Sequence, residues 1–277
     1  MRPASRVPRP ASRVPRPASR VPRPAHHNMR PIITLLTDFG TADGYVGEMK
    51  GVLLARVPDA TIVDVTHEIP PQDVDAARLT LARVWRRFPA GTVHVVVVDP
   101  GVGTDRAALA IGSDERLLVG PDNGVLSPAL LIAGAQVVAL EVPATASASF
   151  HGRDVFAPAA AALALGAALP SLGAPMAQPR IRRTPEPQRT GDGALLGEVI
   201  GIDRFGNAIT NIVGLRAGTV EAAGLSLPLR RTYGEAPVGA PIAIVGSSGL
   251  IELAVRDGSA ARVLHLTRGS AVLFRGA

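Results

Sequence analysis

Two aspartates in this chain stand where an apolar run stops. Asp38 follows Ile32–Leu36 and Thr37, and Asp99 follows His94-Val95-Val96-Val97-Val98. Each has a glycine two residues on, Gly40 and Gly101, which lets a ligand approach the backbone closely. Ligands of open α/β sheets bind beyond the carboxyl ends of the strands, and a carboxylate there commonly grips a ribose diol. Asp at a strand end is also an ordinary turn former, but its repetition in one sheet aims both side chains into one crevice. Arg106 lies seven residues after Asp99, across the turn Pro100-Gly101-Val102-Gly103-Thr104-Asp105. His151 belongs to the polar cluster Phe150-His151-Gly152-Arg153-Asp154, between a strand and an apolar helix. His67, His94 and His265 read as structural, His265 within a terminal strand, and no pair has metal-ligand spacing such as His-Glu-x-x-His. No metal site is expected.

A second set lies late in the chain. In Asp203-Arg204-Phe205-Gly206-Asn207 the phenyl ring of Phe205 can stack on a base and the Asn207 amide can pair with an adenine edge. The plainer reading is a hairpin turn. Ser247-Ser248-Gly249 offers hydroxyls and backbone amides suited to a carboxylate, or is an ordinary Ser/Gly turn. The chain lacks a Gly-x-Ser-x-Gly elbow, a Gly-x-Gly-x-x-Gly after a strand, and a phosphate loop ending in Gly-Lys-Ser/Thr. An adenosine-like ligand need carry no phosphate.

The elements that must hold these residues follow from hydrophobic period. Four successive valines before Asp99 predict a strand buried on both faces. Strands at Ile32–Leu36, Thr61–Val65, Val93–Val98, Leu117–Val119 and Val137–Glu141 alternate with helices at Tyr45–Val57, Asp73–Phe88 and 156–169. This predicts a mostly parallel, doubly wound α/β sandwich over residues 30–170. Residues 171–193, rich in Pro, Arg, Gly and Gln, read as a linker. Over 194–277 the period becomes two, in runs such as Leu195–Ile202, Ile209–Val213, Ile242–Val245, Ile251–Val255 and Ala271–Phe274, which predicts a small antiparallel β-barrel.

Composition narrows the function. The chain has no cysteine, which excludes disulfides, thiolate zinc sites and cysteine nucleophiles, and fits a cytoplasmic location. Its net charge of +6 comes from residues 1–28, three copies of Arg-Pro-Ala-Ser-Arg-Val-Pro and part of a fourth, with seven arginines and no acid. The remaining 22 basic and 23 acidic residues nearly balance, so the body gives no case for nucleic-acid binding. Two prolines per repeat forbid a continuous helix, and residues 1–28 are expected to be a disordered, non-functional tail ahead of a start at Met29. No apolar run is long enough to span a membrane.

The motifs in their order resemble the S-adenosyl-L-methionine (SAM) hydrolases that form adenosine, also called SAM hydroxide adenosyltransferases, which are related to the SAM-dependent fluorinase and chlorinase. Leu36-Thr37-Asp38-Phe39-Gly40, Val97-Val98-Asp99-Pro100-Gly101-Val102-Gly103-Thr104, Phe150-His151-Gly152-Arg153-Asp154 and Asp203-x-Phe205-Gly206-Asn207 carry the likeness, from about Ile32 to Phe274. The resemblance implies a catalytic triad of Asp99, Arg106 and His151. It implies a ribose contact at Asp38, nucleoside contacts at Asp203, Phe205 and Asn207, and a methionine carboxylate contact at Ser247. It implies SAM as substrate rather than cofactor, no further cofactor, and a homotrimer with each site between subunits. The halogenases add a long insertion after the Asp-Pro-Gly turn, whereas about ten residues separate Arg106 from Leu117 here, which favours water over halide.

The chemistry so implied is displacement of methionine from the 5′ carbon by water or hydroxide. A sulfonium leaves without protonation, so the demand falls on the nucleophile. Full proton transfer from water to an ordinary aspartate spans about 12 pKa units, on the order of 16 kcal/mol. Either Arg106 and the turn amides stabilise a bound hydroxide, or His151 takes the proton as attack proceeds. A halide adenosyltransferase and a non-catalytic SAM or adenosine sensor are the rival functions.

Overall fold

The first sheet is built from β1 (Ile32–Thr37), β2 (Thr61–Thr66), β3 (Val93–Val97), β4 (Ala108–Ser113), β5 (Arg116–Pro121), β6 (Gln136–Leu140) and β7 (Gly173–Pro175). The molecule is a computed structural model that describes residues 30–214 and 217–276. The expectation of a disordered tail at 1–28 lies outside them. The strand order is β2-β1-β3-β5-β4-β6-β7. β2, β1, β3 and β5 pair in parallel, and β4 and β7 run against them.

Four helices cover both faces: α1 (Tyr45–Arg56), α2 (Val74–Val84), α3 (Ser127–Leu130) and α4 (Ala157–Ala164). Alternation along the strands divides the core. Ile33, Leu35, Val93, Val95 and Val97 pack with Met49 and Leu53 of α1 and Ala157, Ala160 and Ala161 of α4. Leu36, Val96 and Val98 pack on the other face with Val74, Ala77 and Leu81 of α2 and with Trp85. The chain leaves β1 toward β2 and leaves β3 toward β5, so the order reverses between β1 and β3. That reversal is the switch point at which such sheets bind ligands, and Asp38 and Asp99 lie at it.

The structure differs locally from the sequence reading. The interval between Arg106 and Leu117 holds β4, which turns into β5 through Asp114 and Glu115, both at positive φ. The short Ala-Leu-Ala-Ile-Gly-Ser stretch carries little β signal, and only its pairing with β5 and β6 makes it a strand. The helix expected over 156–169 ends at Ala164, because Gly166 takes a φ of 90° and Ala167 N–H turns back to Ala162 O. β7 lies inside the stretch read as linker. The same stretch also contains a two-residue strand, Gln188–Arg189, and between the two strands the chain is fastened beside the first sheet by Arg180 N–H on Asp122 and Arg182 N–H on Ser127 Oγ.

The second sheet contains β8 (Gln188–Arg189), β9 (Leu195–Ile202), β10 (Ala208–Val213), β11 (Gly218–Ala222), β12 (Leu225–Arg230), β13 (Pro241–Val245), β14 (Leu250–Val255) and β15 (Ala271–Gly276). The pairing of β10 with β9 closes seven of these strands into a barrel, with β8 outside on β9. Its interior holds Val199, Ile212, Val220, Leu253, Val272 and Phe274. Pairing is antiparallel except between β12 and β13. Helix α5 (Ala260–Val263) follows β14, and His265 lies in the turn after it at φ 52°, exposed, rather than in a strand.

Candidate active site

Asp99 sits two residues past β3, and its side chain is only 5% exposed. Arg106 grips it with both arms of the guanidinium: Nε donates to Oδ1 at 2.9 Å, and Nη2 donates to Oδ2. Nη2 also reaches His151 Nδ1 at 3.0 Å, and Nη1 donates to Ala107 O at 3.1 Å. The guanidinium lies over the Phe156 ring, 5.4 Å from its centroid. The seven-residue interval closes this pair because the turn folds tightly. Val102 N–H returns to Asp99 O, and Thr104 donates from both N–H and hydroxyl to Gly101 O. Gly103 has φ 76°, and a Cβ there would overlap Ala148 O in the segment leading to His151.

His151 opens a π-helical turn, Gly152–Phe156, that runs into α4. Such single turns re-aim side chains. The rest of the motif is scaffolding: Asp154 accepts from Ser147 N–H and from Arg153, and Arg153 reaches Glu48 on α1 at 2.7 Å. Burial pushes the His151 pKa down, the Arg106 charge adds to that, and Asp99 and Asp154 oppose both. Arginine only donates, so Nδ1 must accept, and the ring is neutral with its proton on Nε2. Nδ1 is therefore not free to serve as a base while this bond persists.

Asp38 follows β1, next to Asp99's strand in the parallel register Thr37↔Val97. Gln72 N–H donates to Asp38 Oδ2 at 2.7 Å, with Gln72 held at φ 67°. The same loop braces the turn again: His67 Nδ1 bonds Thr37 Oγ1 at 2.8 Å, and His67 O accepts from Gly40 N–H. His67 and Gln72 had no motif to mark them. The sequence reading also missed Phe39, Tyr45 and Phe150, whose ring centroids lie 5.3–6.0 Å apart in a mutual cluster beside Asp38 and His151. These are three of only nine aromatic residues in the chain, which was the available signal.

His67 and His94 are both buried, as structural histidines, but neither is fully satisfied. His94 Nδ1 bonds Thr34 Oγ1 across β1 and β3, while its Nε2 has no partner among the described residues. His67 Nε2 lies 3.0 Å from Asp64 Oδ1 but is misaligned for a hydrogen bond.

The barrel residues are placed differently. Asp203 Oδ1 accepts from Phe205 N–H and Asn207 N–H, and Oδ2 accepts from Asn207 Nδ2 at 2.9 Å. Both oxygens are thus occupied in shaping the turn, the plainer of the two readings above. Phe205 projects from that turn 76% exposed, and Ser247 is exposed at the β13–β14 turn. Among the described residues, no hydrogen bond or ion pair joins Asp203, Phe205, Asn207 or Ser247 to the Asp99–Arg106–His151 group.

Residues 33–173 match the SAM hydroxide adenosyltransferase N-terminal domain, and residues 197–273 match the C-terminal domain of the same name. The chain is 45% identical to the (R)-S-adenosyl-L-methionine hydrolase of Thermus thermophilus, over 88% of this chain and 99% of that one. It is 42% identical to the protein of that name from Salinispora arenicola, over 86% and 95%. A fluorinase of Actinopolyspora mzabensis is 30% identical over 88% of this chain and 96% of its own length. Among solved structures, a conserved protein of Thermotoga maritima superposes with a TM-score of 0.80 at 33% identity, covering 87% of this chain and 99% of that one. With both halves and the full-length relatives in agreement, the chain belongs to the SAM hydroxide adenosyltransferase family.

Proposed function

We propose that the protein hydrolyses SAM to adenosine and L-methionine by attack of water at the 5′ carbon. The observation that carries this reading is the buried Asp99–Arg106–His151 group at the switch point, with Asp38 one strand away. With His151 Nδ1 held by Arg106, the ring keeps its Nε2–H as a donor, and the Gly101 and Gly103 N–H groups find no protein acceptor among the described residues. Together they hold the attacking oxygen.

The geometry favours placement over a strong base. Asp99 spends both oxygens on Arg106, and His151 Nδ1 accepts from the same guanidinium. Water therefore attacks first. As the C–O bond forms, its proton becomes strongly acidic, and a carboxylate lone pair of Asp99 that Arg106 leaves open then accepts it. The C5′–S bond electrons leave on neutral methionine, so one proton is released overall and no further cofactor is needed. Water with sulfonium involves no charge separation at the leaving end, and a dry pocket favours it.

Asp38 holds the ribose. Phe205 and Asn207, kept in place by Asp203, receive adenine, and Ser247 receives the methionine carboxylate. Their separation from the triad in one subunit, with Phe205 exposed, supports a homotrimer in which the barrel of one subunit completes the first-sheet site of its neighbour. The curated relatives are named for the (R) sulfonium configuration, and the same epimer is the expected substrate here.

Incubation with each SAM epimer, with and without chloride, followed by chromatography, tests the reading. Adenosine and methionine in equal amounts support it. 5′-Chloroadenosine marks a halide transferase, and intact SAM despite binding marks a sensor.

A further inference from the structure

A line of side chains runs from the surface to the turn that carries Asp38, and the displacement chemistry makes no use of it. Lys50 Nζ on α1 donates to Asp64 Oδ2 of β2 at 2.6 Å. Asp64 Oδ1 lies 3.0 Å from His67 Nε2, and His67 Nδ1 lies 2.8 Å from Thr37 Oγ1. The outer pair is partly exposed, whereas His67 and Thr37 are buried. β2 helps to aim Asp64. Leu35 pairs with Asp64 and Leu36 with Thr66, so Val65 is an extra residue that bulges the strand at that point. Burial works against the Asp64 charge, but Lys50 and His67 outweigh it and hold the carboxyl below its ordinary value.

The bonds around Thr37 fix where the His67 proton lies. Thr37 Oγ1 accepts from Phe39 N–H at 3.3 Å, and its own proton has no acceptor among the described residues except His67 Nδ1. A ring nitrogen that accepts carries no proton, so the ring N–H is Nε2–H, on the side of Asp64. The opposite tautomer would donate from Nδ1, strand the buried Thr37 proton and loosen Phe39 N–H. Asp38 stands between Thr37 and Phe39. The loop that starts at His67 holds the same turn twice more, through Gly40 N–H on His67 O and Gln72 N–H on Asp38 Oδ2. We propose that Lys50 and Asp64 are positioning residues that set the His67 tautomer and thereby hold the Asp38 carboxylate in place for the ribose hydroxyls. This rests on the ribose role given to Asp38 above, and it assigns none of the three to the reacting atoms.

Asp64→Asn turns this logic round. Lys50 can only donate, so it takes the amide oxygen, and the amide NH2 is left facing His67 Nε2, which must then accept. The ring proton moves to Nδ1. In the double variant Lys50→Met/Asp64→Asn the amide is free to rotate and offer its oxygen to Nε2–H, which restores the original tautomer. NMR of the full-length protein labelled with nitrogen-15 histidine reads the tautomer, with His67→Gln to identify the signals. Calorimetric binding of adenosine and of 2′,3′-dideoxyadenosine reads the aim of Asp38. Wild type should prefer adenosine by about tenfold or more, as expected when a carboxylate accepts from the ribose hydroxyls. Asp64→Asn should show the Nδ1–H form and cut that preference to about threefold or less, and the double variant should regain both. An unchanged tautomer or an unchanged preference in Asp64→Asn overturns the proposal. A double variant no better than Asp64→Asn overturns it too, since additive damage is the mark of a merely structural pair. Equal binding of the two nucleosides by wild type removes the ribose role of Asp38, and the proposal with it. If wild type keeps the preference and its dependence on Asp64 but forms no adenosine from SAM, the hydrolase reading falls alone and the positioning role stands.

Discussion

Replacing Arg106 by lysine keeps the charge and removes the geometry. The guanidinium makes four hydrogen bonds: two to Asp99, one to His151 Nδ1 and one to Ala107 O. A lysine ammonium is a point donor, and from that backbone position it can serve one Asp99 oxygen but not the whole fork. At least one oxygen of a carboxylate 5% exposed is then left without a donor. Hydrogen bonds to charged groups contribute about 1.5–3 kcal/mol each, so losing two costs on the order of 3–6 kcal/mol. Part of that is lost stability, read as a fall in Tm of roughly 5–10 °C for a chain of this size. The remainder falls on the reaction, because His151 loses its anchor as well, and misplacement by about 1 Å can cost 10²-fold in rate. Arg106→Lys should lower kcat by about 10²–10³-fold with KM changed only a few-fold. The assay is adenosine release at saturating SAM, alongside thermal unfolding. A variant within about fivefold of wild-type kcat would refute the claim that the fork, rather than the charge, organises the site.

Three further outcomes follow from the same contacts. His94 is pushed down to about 4 by burial, assisted by Arg116. The unfolded chain therefore binds that proton more tightly, and His94's contribution is complete above pH about 6.5 and lost as pH falls toward 4, about 2 kcal/mol by pH 5. Denaturant unfolding at pH 7 and pH 5 should show that loss in wild type and much less of it in His94→Gln; equal losses would contradict it. Asp203→Ala removes three acceptor bonds from its turn and should cost about 2–3 kcal/mol, with adenosine affinity falling alongside; unchanged affinity would separate the turn from the nucleoside site. Gly103→Ala forces a side chain at φ 76° against Ala148 O and should reduce kcat at least about tenfold through displacement of the Asp99–Arg106 turn. Wild-type turnover would mean the turn can shift without consequence.

Much of the fold was legible because the central strands of the first sheet, β1 and β3, are buried on both faces. β1, β2, β3, β5 and β6 each lie within a residue or two of their expected positions. β4, β11 and β12 were not, since their stability comes from neighbours: β4 is Ala- and Gly-bearing, and β12 contains Pro228. In the site, Asp99, Arg106 and His151 came from motif order, and the structure joins them directly. Asp203 reads as a ligand contact in the sequence, while its hydrogen bonds within its own turn were not legible there, because a sequence names a carboxylate but not where its oxygens are spent. Gln72 and His67 act through a backbone amide and a ring nitrogen across 30 or more residues, a relation no local pattern carries.

If water is the nucleophile, its oxygen becomes the 5′-hydroxyl of adenosine. Turnover of SAM in water enriched in oxygen-18, followed by mass spectrometry of both products, measures this directly. Attack by water should give adenosine heavier by two mass units at the 5′ oxygen, together with unlabelled methionine. Unlabelled adenosine, label in the amino-acid product, or 5′-methylthioadenosine in place of adenosine would contradict it.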